Sequence, residues 1–169
     1  MPDSLPSAIS IRILLVDDHA MFRQGLRSAF EAYPNIKVVG EASDGDEAIT
    51  SAAKLQPAVI VMDINMPKMD GITTTRLIKA QNPEIVILGL SSGLKDYQVH
   101  AMHAAGAFEV LSKDLAVTEL YSAIQRGVAA VKPILILEDP SSTQKSTEEL
   151  EQAVKPFPVE PMPEKEERI

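Results

Sequence analysis

Residues 58–71 read Ala58-Val59-Ile60-Val61-Met62-Asp63-Ile64-Asn65-Met66-Pro67-Lys68-Met69-Asp70-Gly71. An apolar run, Ala58 to Met62, climbs into a single acid, Asp63, and the break behind it carries Pro67 and the Asp70-Gly71 pair. A short apolar run bounded by turn residues is the pattern of a strand buried on both faces, the usual condition of strands in parallel sheets. Ligand chemistry in open α/β sheets gathers just beyond the carboxyl ends of such strands. Asp63 therefore stands where chemistry is expected.

Four further apolar runs flank this one. Ile11–Val16 ends in Asp17-Asp18, Ile36–Ala42 ends before Asp44-Gly45, Ile85–Leu90 ends in Ser91-Ser92-Gly93, and Phe108–Ser112 ends at Lys113. Between and after them the period changes from two to that of a helix. Met21–Tyr33 carries Phe22, Leu26, Phe30 and Tyr33 on one face, with Pro34 as its stop. Gly45–Leu55 turns Ala48, Ile49, Ala52 and Leu55 inward, Ile72–Ala80 runs to Asn82-Pro83, and Asp96–Ala105 closes at Gly106. The last helix takes its stripe from Val117, Leu120, Ile124, Val128 and Val131. Strands alternating with helices at these intervals pair in parallel through right-handed crossovers, which predicts an α/β doubly wound three-layer sandwich with a five-stranded parallel sheet.

The 169 residues allow one ordinary domain and an appendage. Tryptophan is absent and only 4% of residues are aromatic, so the core must be aliphatic. With no cysteine, disulfides, thiolate metal sites and thiol nucleophiles are excluded. A net charge of −8 argues against direct DNA binding, which needs a basic footprint. No apolar run has the length of a membrane span, and Met1–Ser10 lacks the features of a signal peptide, so the expected location is cytoplasmic. Residues 1–10 read as a loose leader and 11–132 as the folded domain. From Pro133 to Ile169 four basic residues face nine acids, and six of the twelve prolines fall there. That segment reads as an acidic Pro-rich tail or linker, largely disordered, with a short apolar patch at Ile134–Leu137 and a transient helix near Thr147–Val154.

In a parallel sheet the strand ends share one edge. Asp17, Asp18, Asp63, Ser91 and Lys113 therefore converge. One strand-end aspartate is an ordinary cap or turn residue; three, with a hydroxyl and an ammonium, make a site. Three carboxylates repel and require compensating charge. Lys113 supplies part, and hard oxygen ligands suit Mg2+ or Mn2+ for the rest. Such a metal assists phosphoryl transfer, and a carboxylate can itself be the nucleophile, forming an aspartyl phosphate. His100 and His103 lie i,i+3 on the fourth helix and read as surface histidines, since no third ligand is evident. His19 caps or lines the pocket, and Met62, Met66 and Met69 are packing residues.

At these residues the chain resembles the receiver domain of bacterial two-component response regulators. The resemblance covers roughly 11–131 and rests on Asp17-Asp18, Asp63, Met66-Pro67, Asp70-Gly71, Ser91, Gly106-Ala107 and Lys113. The segments Leu14-Leu15-Val16-Asp17-Asp18-His19 and Val38-Val39-Gly40-Glu41-Ala42 look like the subgroup that often carries a LuxR/NarL-type helix-turn-helix output domain. The resemblance implies a flavodoxin-like fold with strand order 2-1-3-4-5. It implies that Asp63 is the phosphoacceptor for a histidine kinase or phosphotransfer protein. Asp18 and Asp63 would bind Mg2+ (or Mn2+), Asp17 largely through water, and the backbone carbonyl of Asn65 would complete the ligand set. Lys113 would bind phosphoryl oxygens, and Ser91 would move in to hydrogen-bond them as a switch. The chain would then be no enzyme in its own right but a phosphoacceptor assisting its own phosphorylation and dephosphorylation. The face of the fourth helix, fifth strand and last helix would be the output surface, where a homodimer could form.

The pattern departs from the family at two places. Three residues before the lysine the family commonly has Tyr or Phe, whose rotamer reports the phosphorylated state; here Val110 stands there, with Phe108 two residues earlier on the same face by period two, and these two are the output-relay candidates. Behind the last helix, the tail is too short and acidic for a helix-turn-helix domain, so the chain reads as a stand-alone or a truncated receiver. Two other readings compete. A haloacid-dehalogenase-like phosphatase also uses a strand-end aspartyl nucleophile and Mg2+, but wants an acid two residues on, where Asn65 stands. A non-phosphorylated pseudo-receiver interaction module would not need the full acid set, Ser91 and Lys113.

Overall fold

The computed structural model describes residues 10–131. The leader over residues 1–9, the apolar patch 134–137, the 147–154 segment and the rest of the 133–169 tail lie outside the described residues. The element order is β1 (Ile11–Val16), α1 (Ala20–Phe30), β2 (Ile36–Ala42), α2 (Gly45–Leu55), β3 (Val59–Asp63), α3 (Gly71–Gln81), β4 (Val86–Ser91), α4 (Asp96–Ala105), β5 (Glu109–Ser112) and α5 (Ala116–Val131), with a 3-10 turn at Lys113–Leu115 before α5. All strands are parallel in the order β2-β1-β3-β4-β5, which is the flavodoxin-like doubly wound sandwich. Among the described residues no helix is long and apolar enough to cross a membrane.

Strand alternation splits the core in two. Ile13 and Leu15, Val59 and Val61, Val86, Leu88 and Leu90, and Leu111 pack with Leu26 and Phe30 of α1 and with Leu120 and Ile124 of α5. The intervening Leu14, Val16, Ile60, Met62 and Ile87 pack with Ala48 and Ala52 of α2, Ile78 of α3 and Met102 of α4. This is period two read across a sheet covered on both sides. It also sets the site: continuing the α1/α5 phase by one step from Leu15, Val61 and Leu111 reaches Asp17, Asp63 and Lys113. The same step from Ile87 through Gly89 carries Ser91 to the α3/α4 side.

The last turns of the helices depart from the sequence pattern for local reasons. Helix α1 ends at Phe30, before the expected Tyr33, because the residue preceding Pro34 is driven out of the helical region. Freed from the helix, Tyr33 stacks on Tyr121 of α5 with ring centroids 4.0 Å apart. In α5 the inward stripe is Ala116, Leu120, Ala123, Ile124 and Gly127, so Val117 is 61% exposed rather than buried. The 3-10 turn starts the helix so that Ala116, not Val117, faces the sheet, and small residues let α5 sit close. Val128 and Val131 pack partly against the same core, as the stripe predicts.

Phe108 also corrects an expectation. It lies before β5 rather than in it, so strand alternation does not reach it. Its ring borders Gly127 on the α5 side, whereas Val110 borders Gly89, Met102 and Ile64 on the α4 side. The two residues are therefore on opposite faces of the sheet, and Phe108 does not stand in for an aromatic at 110.

Candidate functional site

Val16 pairs with Met62, which places the residues that follow them, Asp17 and Asp63, side by side at the carboxyl edge. Asp17 is 2% exposed and Asp63 1%. The Lys113 ammonium bridges them, 2.6 Å from Asp17 Oδ2 and 3.0 Å from Asp63 Oδ2. It also lies 4.9 Å from the centroid of the Phe22 ring on α1. The backbone N–H of Asn65 donates to Asp63 Oδ1 at 3.1 Å. Asp18 sits at the mouth, its side chain 27% exposed, with Oδ1 2.8 Å from His19 Nδ1. His19 also holds Asp17, through its backbone N–H to Oδ1 at 2.8 Å and its ring Nδ1 at 3.1 Å. The expectation that His19 lines the pocket is met; as N-cap of α1 it makes no side-chain cap bond.

Burial pushes the Asp63 carboxyl above its ordinary range, and the neighbouring Asp17 charge adds to this; the Lys113 ammonium and the Asn65 N–H only partly offset them. Burial pulls the Lys113 ammonium down, but its close ion pairs with Asp17 and Asp63 outweigh that and hold it above the usual lysine value. Lys113 is thus a firmly charged cation serving two acids. Asp17 Oδ2, Asp18 Oδ1 and Asp63 Oδ2 are buried and make no hydrogen bond of good geometry; the first and third meet only the Lys113 ion pair, the second only His19. One ligand atom from each of Asp17, Asp18, His19 and Asp63 fits within 4.8 Å. One ammonium among three carboxylates leaves negative charge and open lone pairs, which fits a small hard divalent cation. His100 and His103 are both exposed, and the Nδ1 of His103 lies 3.2 Å from the Ala107 carbonyl, as expected of surface histidines.

Ser91 is fully buried but does not face Asp63. Its hydroxyl donates to the Gly93 carbonyl at 3.1 Å and accepts from Asn65 Nδ2 at 3.2 Å. Asn65 Oδ1 in turn accepts from Gln98 Nε2 of α4 at 2.8 Å. Sequence reasoning missed Gln98; a buried glutamine on a weakly amphipathic helix leaves no pattern. It also missed Arg23, whose guanidinium donates to the Asp17 carbonyl and, at 3.1 Å, to Glu41 Oε2. That arginine fixes the backbone that presents the acid pair, and its place in the first turn after Asp17-Asp18 was a readable hint.

The loop leaving Asp63 is shaped by two residues. Asp70 caps α3, its Oδ1 accepting the Thr73 N–H at 2.7 Å. Gly71 donates its N–H to the Ile64 carbonyl at 2.9 Å and packs directly on the Asp63 backbone, where a Cβ would overlap the Asp63 carbonyl. Glycine is required there by close approach rather than by its φ. Lys68 bends the loop tip with φ at 66°.

Residues 13–125 match the family described as the response regulator receiver domain. The chain is 44% identical over 115 residues to the transcriptional regulatory protein LiaR of Bacillus subtilis, covering 68% of this chain and 54% of LiaR. It is 34% identical over 143 residues to the response regulator protein VraR of Staphylococcus aureus, covering 83% of this chain and 68% of VraR. The chain thus spans about half the length of LiaR. A two-component response regulator of the LuxR family from Aurantimonas superposes with a TM-score of 0.69 at 33% identity, over 72% of this chain and 86% of that one.

Proposed function

Because this chain belongs to the response regulator receiver domain family, we propose that Asp63 is its phosphoacceptor. A carboxylate oxygen of Asp63 attacks the donor phosphorus; a P–O bond forms, and the bond to the donor nitrogen of a phosphohistidine breaks with its electron pair returning to the imidazole. The product is an acyl phosphate, later opened by water. The observation that carries the reading is the buried Asp63 carboxylate paired with Lys113 beside Asp17 and Asp18, each of which keeps one buried oxygen that makes no hydrogen bond.

Asp17, Asp18, Asp63 and the backbone carbonyl of Asn65 would hold Mg2+ (or Mn2+), which when bound neutralises charge on the phosphoryl oxygens. Lys113 keeps its charge in place to receive a phosphoryl oxygen, and is close enough to leave Asp17 for it. Ser91 then turns from the Gly93 carbonyl to the phosphoryl group. The donor is a histidine kinase or phosphotransfer protein in the cytoplasm. The output surface is α4, β5 and α5, where Tyr97, Phe108 and Val117 are exposed, and it can pair two copies of the chain. With a net charge of −8, these 169 residues suit protein contact rather than direct contact with DNA. A phosphatase would want an acid in place of Asn65, and the Asn65 side chain is already held by Ser91 and Gln98.

The test is intact mass after incubation with acetyl phosphate. One phosphate should add in the presence of Mg2+ and none with chelator. Mg2+ alone should also raise the melting temperature, since it binds the folded acid cluster and not the unfolded chain. An unchanged mass under every donor, with Mg2+ bound, would leave a pseudo-receiver.

A further inference from the structure

The site raises a question about its exit. Val110 is small and apolar, packed among Gly89, Met102 and Ile64, and has no group for Ser91 to exchange with. A polar path does leave the same pocket. Ser91 lies in the α4 phase of its strand, and its hydroxyl accepts from Asn65 Nδ2 at 3.2 Å. Asn65 Oδ1 accepts from Gln98 Nε2 at 2.8 Å. Gln98 is 8% exposed, and among the described residues its Oε1 is buried without a partner and its amide makes one side-chain hydrogen bond, to Asn65.

We infer that in this chain the state of the pocket reaches α4 through the side-chain bridge Ser91–Asn65–Gln98, with Gln98 as the positioning residue. The inference rests on the phosphoacceptor reading of Asp63. When Ser91 turns to a phosphoryl oxygen, Asn65 loses one of the two bonds that fix its amide plane. Asn65 is exposed, so its amide rotates into water at little cost. Gln98 has no such escape. Losing its partner leaves a buried amide with neither end satisfied, which favours a shift of the α4 start that brings it to water. That start is poised to move. Lys95, the N-cap, provides no side-chain cap, and Gln98 and Val99 both donate their N–H to the Lys95 carbonyl.

The test uses the full chain with Mg2+ and beryllium fluoride as the phosphoryl mimic. Amide exchange over residues 96–99 is expected to rise about fivefold in the parent on loading. In Gln98→Met, close in volume but unable to hydrogen-bond, the loading-dependent rise should be lost while acetyl phosphate still adds one phosphate. The Gln98 side-chain amide resonances of the parent provide a second readout that needs no variant, and they should shift on loading. An equal α4 response in Gln98→Met, or Gln98 resonances that stay put in the loaded parent, overturns the bridge. No uptake of phosphate by the parent would instead overturn the reading of Asp63 itself.

Discussion

Asp63→Asn protein is expected to take up no phosphate from acetyl phosphate and, in divalent-free buffer at neutral pH, to melt at a higher temperature than the parent. The first effect follows from losing the proposed nucleophile. The second follows from electrostatics. Asp63 is 1% exposed and stands beside Asp17, with one ammonium shared between them. An asparagine keeps the acceptor for the Asn65 N–H and removes the charge, leaving Lys113 to pair with Asp17 alone. Removing a buried carboxylate that shares one ammonium with Asp17 spares its desolvation cost, at roughly 3–4 °C in melting temperature for each kcal/mol gained.

The effect depends on pH in the same sense. Burial raises the folded Asp63 carboxyl above 3.8, so between that value and its folded value the native state holds more protons than the unfolded chain. Parent stability from this group is fully present below 3.8 and is lost as pH rises through the folded value. The variant has no such loss, so its advantage should be absent in acid, grow across that window and be complete at neutral pH. Calorimetry from acid to neutral pH measures it. An Asn variant less stable than the parent at neutral pH would mean that the Lys113 pairing outweighs burial. Adding Mg2+ should narrow the gap, because the cation stabilises the parent more.

Gly71→Ala is expected to destabilise the fold by roughly 3–5 kcal/mol, in the tail of single-substitution effects. The new Cβ would overlap the Asp63 carbonyl and crowd Ile64 Cα, both backbone atoms that no rotamer change can move. Relief requires α3 to back away from the end of β3, which breaks the Gly71 N–H bond to the Ile64 carbonyl and drags Asp63 out of register with Asp17. Phosphate uptake should therefore fall along with stability. Gly25→Ala is the matched control. Gly25 lies within α1 with nothing inside 4 Å of its Cβ position, so alanine there should stabilise by about 0.5–1 kcal/mol through helix propensity. Denaturant midpoints of the pair decide the matter; two variants within about 1 kcal/mol of each other would sink the close-packing account.

Much of the fold was readable because the sheet is buried on both faces. A strand in that position is apolar through its buried length, so Ile13–Val16 and Val59–Met62 announce themselves, and the acid that follows each, Asp17 and Asp63, marks the edge. Chain order alone then brings Asp17, Asp18, Asp63 and Lys113 to one place. Boundaries were less legible where a neighbour decides them. Val117 looks like a core residue in the sequence, but the 3-10 turn at Lys113–Leu115 rotates it out to 61% exposure. Phe108 looks like a strand residue, but the strand begins one position later.

Sequence by itself determined the parallel sandwich and the acids at its edge, because burial and period two act on each strand separately. Tertiary structure decided how those acids are held. It set the Lys113 ammonium, already due at this edge, between Asp17 and Asp63, and it brought the Arg23 guanidinium to the Asp17 carbonyl and Gln98 of α4 against Asn65. These partners come from different elements, and no local pattern relates a glutamine on a helix to a serine one element earlier. Around Asp63, residues 58–71 specify the acid and its loop; the packing of α1, α4 and the β5 end specifies its charge and where its signal can go.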